Sequence, residues 1–573
     1  MKTGSDSAVA RNGIAELTFV AEERHTCPLD RIALLCSVTG PSGETVNIPA
    51  YWAGGDVWRV RFTSDAVGRH AYRTACSAAH DAGLHDRTGV IDVTEYVGSN
   101  PLFRHGPLCL SHDGLHLMHA DGMPFFWLGD TWWLAGSGSF RWPDVFQTLT
   151  ADRVKKGFTV VQLVAGLFPE VEPFHPRAAN EGGFAWSDGY SEINPAFFDM
   201  FDLKLALLVQ SGIVPCLVGA WGQYLGLAGI DVIKRHWRYL VARYGAFPVV
   251  WCIAGEASLF PTAHEFLTGR NEGDMAAIIE EQHRAWAEVT REVRALDPYH
   301  RLITVHPCPI ATYRSSQVLH DPSLYDIDML QTGHTDRHCF HATLLHVTAA
   351  VQERQKPVIN GEVCYEGIFG NNWHDTQRFL FWTHLLSGTA GHTYGTFGIS
   401  TFSARDDRYI GQSRCSDEPW EDAFDLPGSH HMGIGKRFFE RYDWQEFEPH
   451  PEWVEPHWTD DDRILPYAAG IRGRIRVVYF PSMGFLNPHG ALADWPVSLR
   501  RITLVGLEPR LEYSAYYVNP RTGGELPRFG VATDTGEFVL STGSEPWASG
   551  NPTGEDWVLV LEAYNQGAQH ATV

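Results

Sequence analysis

Two glutamates stand alone at the ends of otherwise apolar runs. Glu256 closes Val249-Val250-Trp251-Cys252-Ile253-Ala254-Gly255, and Glu362 closes Pro357-Val358-Ile359-Asn360-Gly361. Taking a lone carboxylate out of water costs several kcal/mol, so each needs either a structural partner or a chemical task. A salt bridge or a cap would meet the first need. For the second, two carboxylates across a pocket can serve as proton donor and as nucleophile or base, the pair that breaks a glycosidic bond.

Other polar or aromatic groups close the remaining apolar runs. Asp130 follows Phe125–Leu128 within Gly129-Asp130-Thr131-Trp132-Trp133, and suits either a loop-fixing turn or a hydrogen bond to a sugar hydroxyl. Gln162, Trp221, His306, His334 and Tyr394 occupy comparable places, and Tyr365 and Glu366 come just after Glu362. Trp133 and Trp221 are core rings by default and sugar-stacking platforms as the second reading. His306 and His334 read as satisfied histidines before metal ligands, although 28 histidines raise the question of a metal. With no HExxH and no HxH closing the first run, neither a metal nor a cofactor is expected.

These residues need a frame that brings strand ends together. Eight strand-like runs are found between Pro101 and Asp443: Phe125–Trp133, Phe158–Ala165, Ile213–Trp221, Val249–Glu256, Leu302–His306, Ile327–Thr332, Pro357–Glu362 and Ala390–Thr396. Helical segments alternate with them. The clearest is Ala276–Leu296, with Ile279, Trp286, Val289, Val293 and Leu296 on one face and Asp297-Pro298 as its stop. Continuous apolar runs suit strands covered on both faces. Eight strand–helix pairs predict a (β/α)₈ barrel, whose chemistry sits at the C-terminal ends of the strands. An open doubly wound sheet is the rival, and no GxGxxG or GxxxxGK[ST] loop follows the first strand to support it. On a barrel, strands 4 and 7 lie on opposite sides of the rim, so Glu256 and Glu362 can face each other.

The flanks have another texture. Trp58-Arg59-Val60-Arg61-Phe62 and Arg474–Tyr479 alternate with period two, the mark of antiparallel strands wet on one face. The expected architecture is therefore α/β: an N-terminal, immunoglobulin-like β-sandwich over 1–98, the barrel over 99–445, and a second all-β sandwich over 446–573.

Composition excludes several partners. Lys and Arg number 45 against 68 Asp and Glu, a net charge of −23, which is poorly suited to a nucleic-acid backbone or an anionic membrane. No apolar run approaches the roughly 18 residues needed to span a bilayer. The start of the chain lacks the apolar region of a secretory signal, and ten scattered cysteines form no CxxC pair. A reduced, cytoplasmic protein is expected, acting on small saccharides or glycosides; a homo-oligomer is compatible with the sequence.

Four motifs resemble the apiosidase-like glycoside hydrolase barrels, which are related to clan A. They are Phe125–Thr131 with Trp133, Lys156–Gln162, Trp251–Glu256, and Pro357–Glu362 followed by Tyr365-Glu366-Gly367. The flanks resemble that family's N-terminal sandwich and its collagen-binding-type C-terminal sandwich. The resemblance implies a retaining hydrolase with Glu256 as acid/base and Glu362 as nucleophile; exo action is expected, and Tyr365 is the candidate hydrogen-bond donor that keeps Glu362 ionised. Asp130, Trp133, Gln162, Trp221, His306, His334, Tyr365, Glu366 and Tyr394 are then candidates to bind the sugar. One departure stands out. The family commonly has Asp after paired glycines where this chain has Ala254-Gly255-Glu256, and the clan A Asn before the acid/base is replaced by Gly255. A different sugar, such as a furanoside or another unusual monosaccharide, is therefore expected. The long aromatic loops Phe168–Ile193 and Thr401–Met432 are expected to wall its pocket. The rival readings are a non-catalytic sugar-binding barrel and a metal-dependent hydrolase built on His306 and His334.

Overall fold

The computed structural model describes residues 7–26, 28–259, 272–309, 311–334, 339–370, 372–407, 418–482, 502–540 and 555–564. Eight strands share one sheet: β1 (Trp127–Thr131), β2 (Val160–Val164), β3 (Val214–Trp221), β4 (Val250–Gly255), β5 (Ile303–Thr304), β6 (Asp328–Gln331), β7 (Val358–Glu362) and β8 (Gly391–Tyr394). Their order is β5-β4-β3-β2-β1-β8-β7-β6, which is a parallel barrel nearly closed on itself. Between the two end strands, the Ile303 carbonyl accepts from the Asp326 amide at 2.8 Å, just before β6. All eight strands expected from the apolar runs are present, each shorter by one to four residues.

Helices follow the strands in turn: α1 (Asp144–Lys156), α2 (Pro195–Gln210), α3 (Ile230–Tyr244), α4 (Glu272–Leu296), α5 (Ser315–Leu319), α6 (Cys339–Gln352), α7 (His374–Leu386) and α8 (Pro427–Phe439). Their limits have local causes. α2 begins where the Asn194 side chain accepts from the Ala196 amide and Pro195 takes the first helical position. α1 stops at Gly157, whose left-handed backbone (φ 92°) lets its amide reach the Arg153 and Val154 carbonyls. The periodic face of α4 is real: Trp286, Val289 and Val293 are fully buried.

The chain divides into two compact units. The first comprises Met1–Gln331, Gln355–Pro357 and Gly398–Trp420; the second comprises Thr332–Arg354, Val358–Phe397 and Glu421–Val573. The first holds a five-stranded and a three-stranded sheet that enclose a core including Leu17, Trp58, Val60, Phe62 and Tyr72. One pairing in that sandwich is parallel, Ser7–Ala10 against Thr88–Thr94. The second holds a six-stranded and a three-stranded sheet around Trp453, Tyr517, Trp557 and Leu559. No described helix is long and apolar enough to cross a membrane.

Candidate active site

In the first unit, Glu256 comes directly after β4 and is the one residue of Val250–Glu256 that is not fully buried. Its backbone is left-handed (φ 44°), an uncommon state for a residue with a β-carbon and one that concentrates at functional positions. Two neutral donors hold the carboxylate. Trp221 Nε1 reaches Oε2 at 3.3 Å, and Gln331 Nε2 reaches Oε1 at 3.0 Å. The neighbouring Gly255 supplies no side-chain donor; the ends of β3 and β6 do.

Two glycines make this arrangement possible. A β-carbon on residue 255 would stand 2.2 Å from Cε3 of Trp221, so the indole lies flat against a bare backbone. One on residue 222 would meet the Glu256 carbonyl at 2.1 Å. Gly255 is therefore not an Asn with its side chain deleted. The space beyond its Cα is filled by the ring whose N–H serves Glu256.

Around that indole, Trp133 packs edge-on at 5.1 Å, and His306 lies 5.3 Å from Trp133 and 6.0 Å from Trp221 between ring centroids. Trp133 is 3% and Trp221 4% exposed, so the trio is packed against itself with little open face. The His306 Nδ1 lies 3.1 Å from the Pro307 carbonyl. Gln162 is fully buried in β2.

Asp130 has the partners that a loop-fixing residue needs. It is fully buried, its Oδ2 accepting from Arg153 Nε at 2.6 Å and Trp132 Nε1 at 2.7 Å, its Oδ1 from the Thr131 amide. A buried, bidentate acceptor of this kind anchors the β1 end against α1. The same loop is held from α2 by Lys204, whose Nζ donates to the Ala135 and Ser137 carbonyls. Burial pushes the Lys204 ammonium from its ordinary 10.5 down to about 7.

In the second unit, Glu362 ends β7 at 4% exposure. Its Oε1 is hydrogen-bonded to Nε2 of His334, and its amide donates to Asn360 Oδ1 at 3.3 Å. Asn360 in turn donates to Thr332 Oγ1 at 3.0 Å. The Tyr365 ring lies 4.4 Å from the His334 ring. His334 therefore places an imidazole on the Glu362 carboxylate.

Glu366 and Tyr394 are bonded to each other. Both are fully buried, the tyrosine hydroxyl donating to Glu366 Oε2 at 2.6 Å while Oε1 accepts from the Gly428 amide at 3.1 Å. They fasten the β7 and β8 ends to the start of α8. His392 in β8 is likewise turned away, against Phe381 and His384 of α7, and burial pushes it down to about 3.

Gln331 and Asn360 were not singled out in the sequence. The signal existed: each is an amide inside an apolar strand, β6 and β7, where an uncharged polar group must find a partner. Of the two loops expected to wall the pocket, 408–417 lies outside the described residues. Elsewhere they meet: Arg177 donates to Asp407 Oδ2 and to the Phe402 carbonyl, both at 2.6 Å.

The catalytic domain of the apiosidase-like family matches residues 111–446, more than half of the chain. The chain belongs to the apiosidase-like family. Its barrel is accordingly a glycosidase domain, and Glu256, Glu362 and their partners all fall inside the matched span. Residues 9–77 match a domain of unknown function, DUF5060. Among solved structures, a glycoside hydrolase family 5 protein from Bacteroides vulgatus is 20% identical with a TM-score of 0.62, over 81% of this chain and 95% of that one. A proposed glycoside hydrolase from the same organism is 17% identical with a TM-score of 0.66, over 97% of this chain and all of that one. At such identities the likeness is one of fold. No curated protein is similar enough in sequence to count as a relative.

Proposed function

We propose that this apiosidase-like protein is a retaining, exo-acting glycosidase that removes a terminal sugar from small saccharides or glycosides. The observation that carries the reading is the placement of Glu256 and Glu362 at the C-terminal ends of β4 and β7, where a barrel gathers its chemistry. Glu362 attacks the anomeric carbon while Glu256 gives its proton to the departing glycosidic oxygen. Glu256 then takes a proton from the water that releases the sugar from Glu362. Trp221 and Gln331 orient the first carboxylate and His334 the second. The filled space beyond Gly255 supports a sugar other than those read by a clan A asparagine, a furanoside being the first to try.

The test is a pair of variants assayed on aryl glycosides, furanosides included. Glu362→Ala is expected to abolish turnover, because no covalent intermediate can form. Glu256→Ala is expected to spare substrates whose leaving group departs unprotonated, and azide should speed its second step, giving a glycosyl azide of retained configuration. An inverted azide from the Glu256 variant would reverse the roles. A crystallographic carboxylate separation in the range of roughly 6.5–9.5 Å, in place of about 5–5.5 Å, would overturn retention.

A further inference from the structure

A second group of ligating side chains lies away from these carboxylates, among α4 and α5 of the first unit. Glu280 and His283 are one turn apart on α4, and so share a face of the helix. His320 follows α5 and closes it in a left-handed conformation (φ 55°), its amide donating to the Ser316 carbonyl at 3.1 Å. The His283 and His320 rings are 5.8 Å apart between centroids, and His320 Nε2 is 4.0 Å from Glu280 Oε2. One ligand atom from each of the three residues lies within 4.8 Å of the others.

We propose that Glu280, His283 and His320 bind one zinc ion. Two imidazoles and a carboxylate are a donor set that zinc takes readily, and magnesium and calcium, which prefer oxygen, do not. Zinc bonds of about 2.0–2.2 Å require ligand atoms somewhat closer than 4.8 Å. The Glu280 and His320 side chains, 56% and 60% exposed, are free to swing inward by that much. Their exposure also leaves water a place in the fourth position. His283, by contrast, is 4% exposed and held: its Nε2 is 2.8 Å from the Ser258 hydroxyl. A fixed imidazole whose second partner is a buried hydroxyl is the arrangement that orients metal ligands.

The position of Ser258 gives the ion a task. It stands two residues after Glu256, on the chain leaving β4, and its hydroxyl is also 3.4 Å from Thr312 Oγ1. An ion on His283 and His320 ties α4 to α5, and through Ser258 it steadies the turn that presents Glu256. The ion itself takes no part in the reaction, so the site stands or falls independently of the hydrolytic mechanism.

The experiment is titration of tag-free, full-length protein with zinc, by calorimetry and by thermal melting. Wild type should bind one zinc that His320→Ala and Glu280→Gln both lose, with a rise in melting temperature confined to the wild type. Because both altered side chains are exposed, the metal-free melting points of the variants should match the wild type. Ser258→Ala should weaken zinc binding by about 10–100-fold. Equal zinc stoichiometry and affinity in wild type and His320→Ala would overturn the proposal. So would a wild type that takes up no zinc, or one that binds calcium at the same residues equally well.

Discussion

Trp221 does two things at once: its ring seats on Gly255, and its N–H reaches Glu256. The two can be separated. Gly255→Ala puts a methyl group where the ring lies, so the indole must move and carry its hydrogen bond away from the carboxylate. A misplacement of about 1 Å in a catalytic group can cost on the order of 100-fold, and a loss of this size in kcat/KM is expected, with a lowered melting temperature. Trp221→Phe keeps an aromatic ring near Trp133 and His306 but removes the N–H together with one ring of the indole, leaving a small cavity at a buried position. Its melting temperature should therefore fall as well, and its kcat/KM should fall by less than that of Gly255→Ala. Steady-state kinetics on one good aryl glycoside, beside thermal melting, would check both. If Gly255→Ala were as active as wild type, the ring contact would have no bearing on Glu256.

At the level of elements, the β1 end is pinned twice, by Asp130 to Arg153 of α1 and by Lys204 of α2 to two carbonyls. The Lys204 pin is pH-dependent. With its folded pKa lowered to about 7, the folded chain sheds this proton while the unfolded chain keeps it up to about 10.5. The stability tied to Lys204 is therefore fully present above the unfolded value and is lost as pH falls through about 7. A neutral amine still has two N–H groups, one for each carbonyl. Lys204→Met should remove the slope, so the wild type should gain melting temperature over the variant between about pH 6 and pH 9. A difference that does not change with pH would refute this. Neither pin was legible in the sequence, for a physical reason. Strand ends were readable because an apolar run announces where a buried strand stops, which located all eight strands and both glutamates. What each polar group there bonds to depends on which helix packs behind it. Asp130 finds Arg153, Glu366 finds Tyr394, and Glu256 finds Gln331 two strands along. Periodicity fixes a face but names no partner on the neighbouring element.

On the scale of the whole molecule, the C-terminal sandwich reads from sequence as an appended module, yet in the second unit it shares a buried charge with the barrel helix α7. Asp556, 1% exposed at the start of the strand Trp557–Ala563, accepts from Arg378 of α7 through Nε at 2.8 Å and Nη2 at 3.0 Å. It also accepts from the Tyr479 hydroxyl at 3.2 Å and from Arg521 Nη1 at 2.7 Å. On its other side, Arg378 Nη1 is 3.1 Å from His431 Nδ1 in α8. Burial, and then the Arg378 charge, push His431 down to about 3, so its ring stays neutral and able to accept that N–H. A buried pair of this kind gives little net stability over an apolar replacement, but removing one member strands the other at a cost of about 3–5 kcal/mol. Asp556→Ala should therefore lower the urea midpoint markedly. The double variant Arg378→Met, Asp556→Leu should recover most of the loss, because it leaves no buried charge unpaired. The sharper expectation concerns coupling. If the sandwich were an independent module, Asp556→Ala would unfold it alone and leave hydrolysis intact at intermediate urea. With Arg378 in the helix that joins β7 to β8, loss of glycosidase activity and loss of sandwich structure should instead occur at the same urea concentration, both displaced equally by the substitution. Activity and near-ultraviolet circular dichroism followed across one urea series would measure it, and two well-separated midpoints would show that the sandwich and the barrel do not depend on this charge in common.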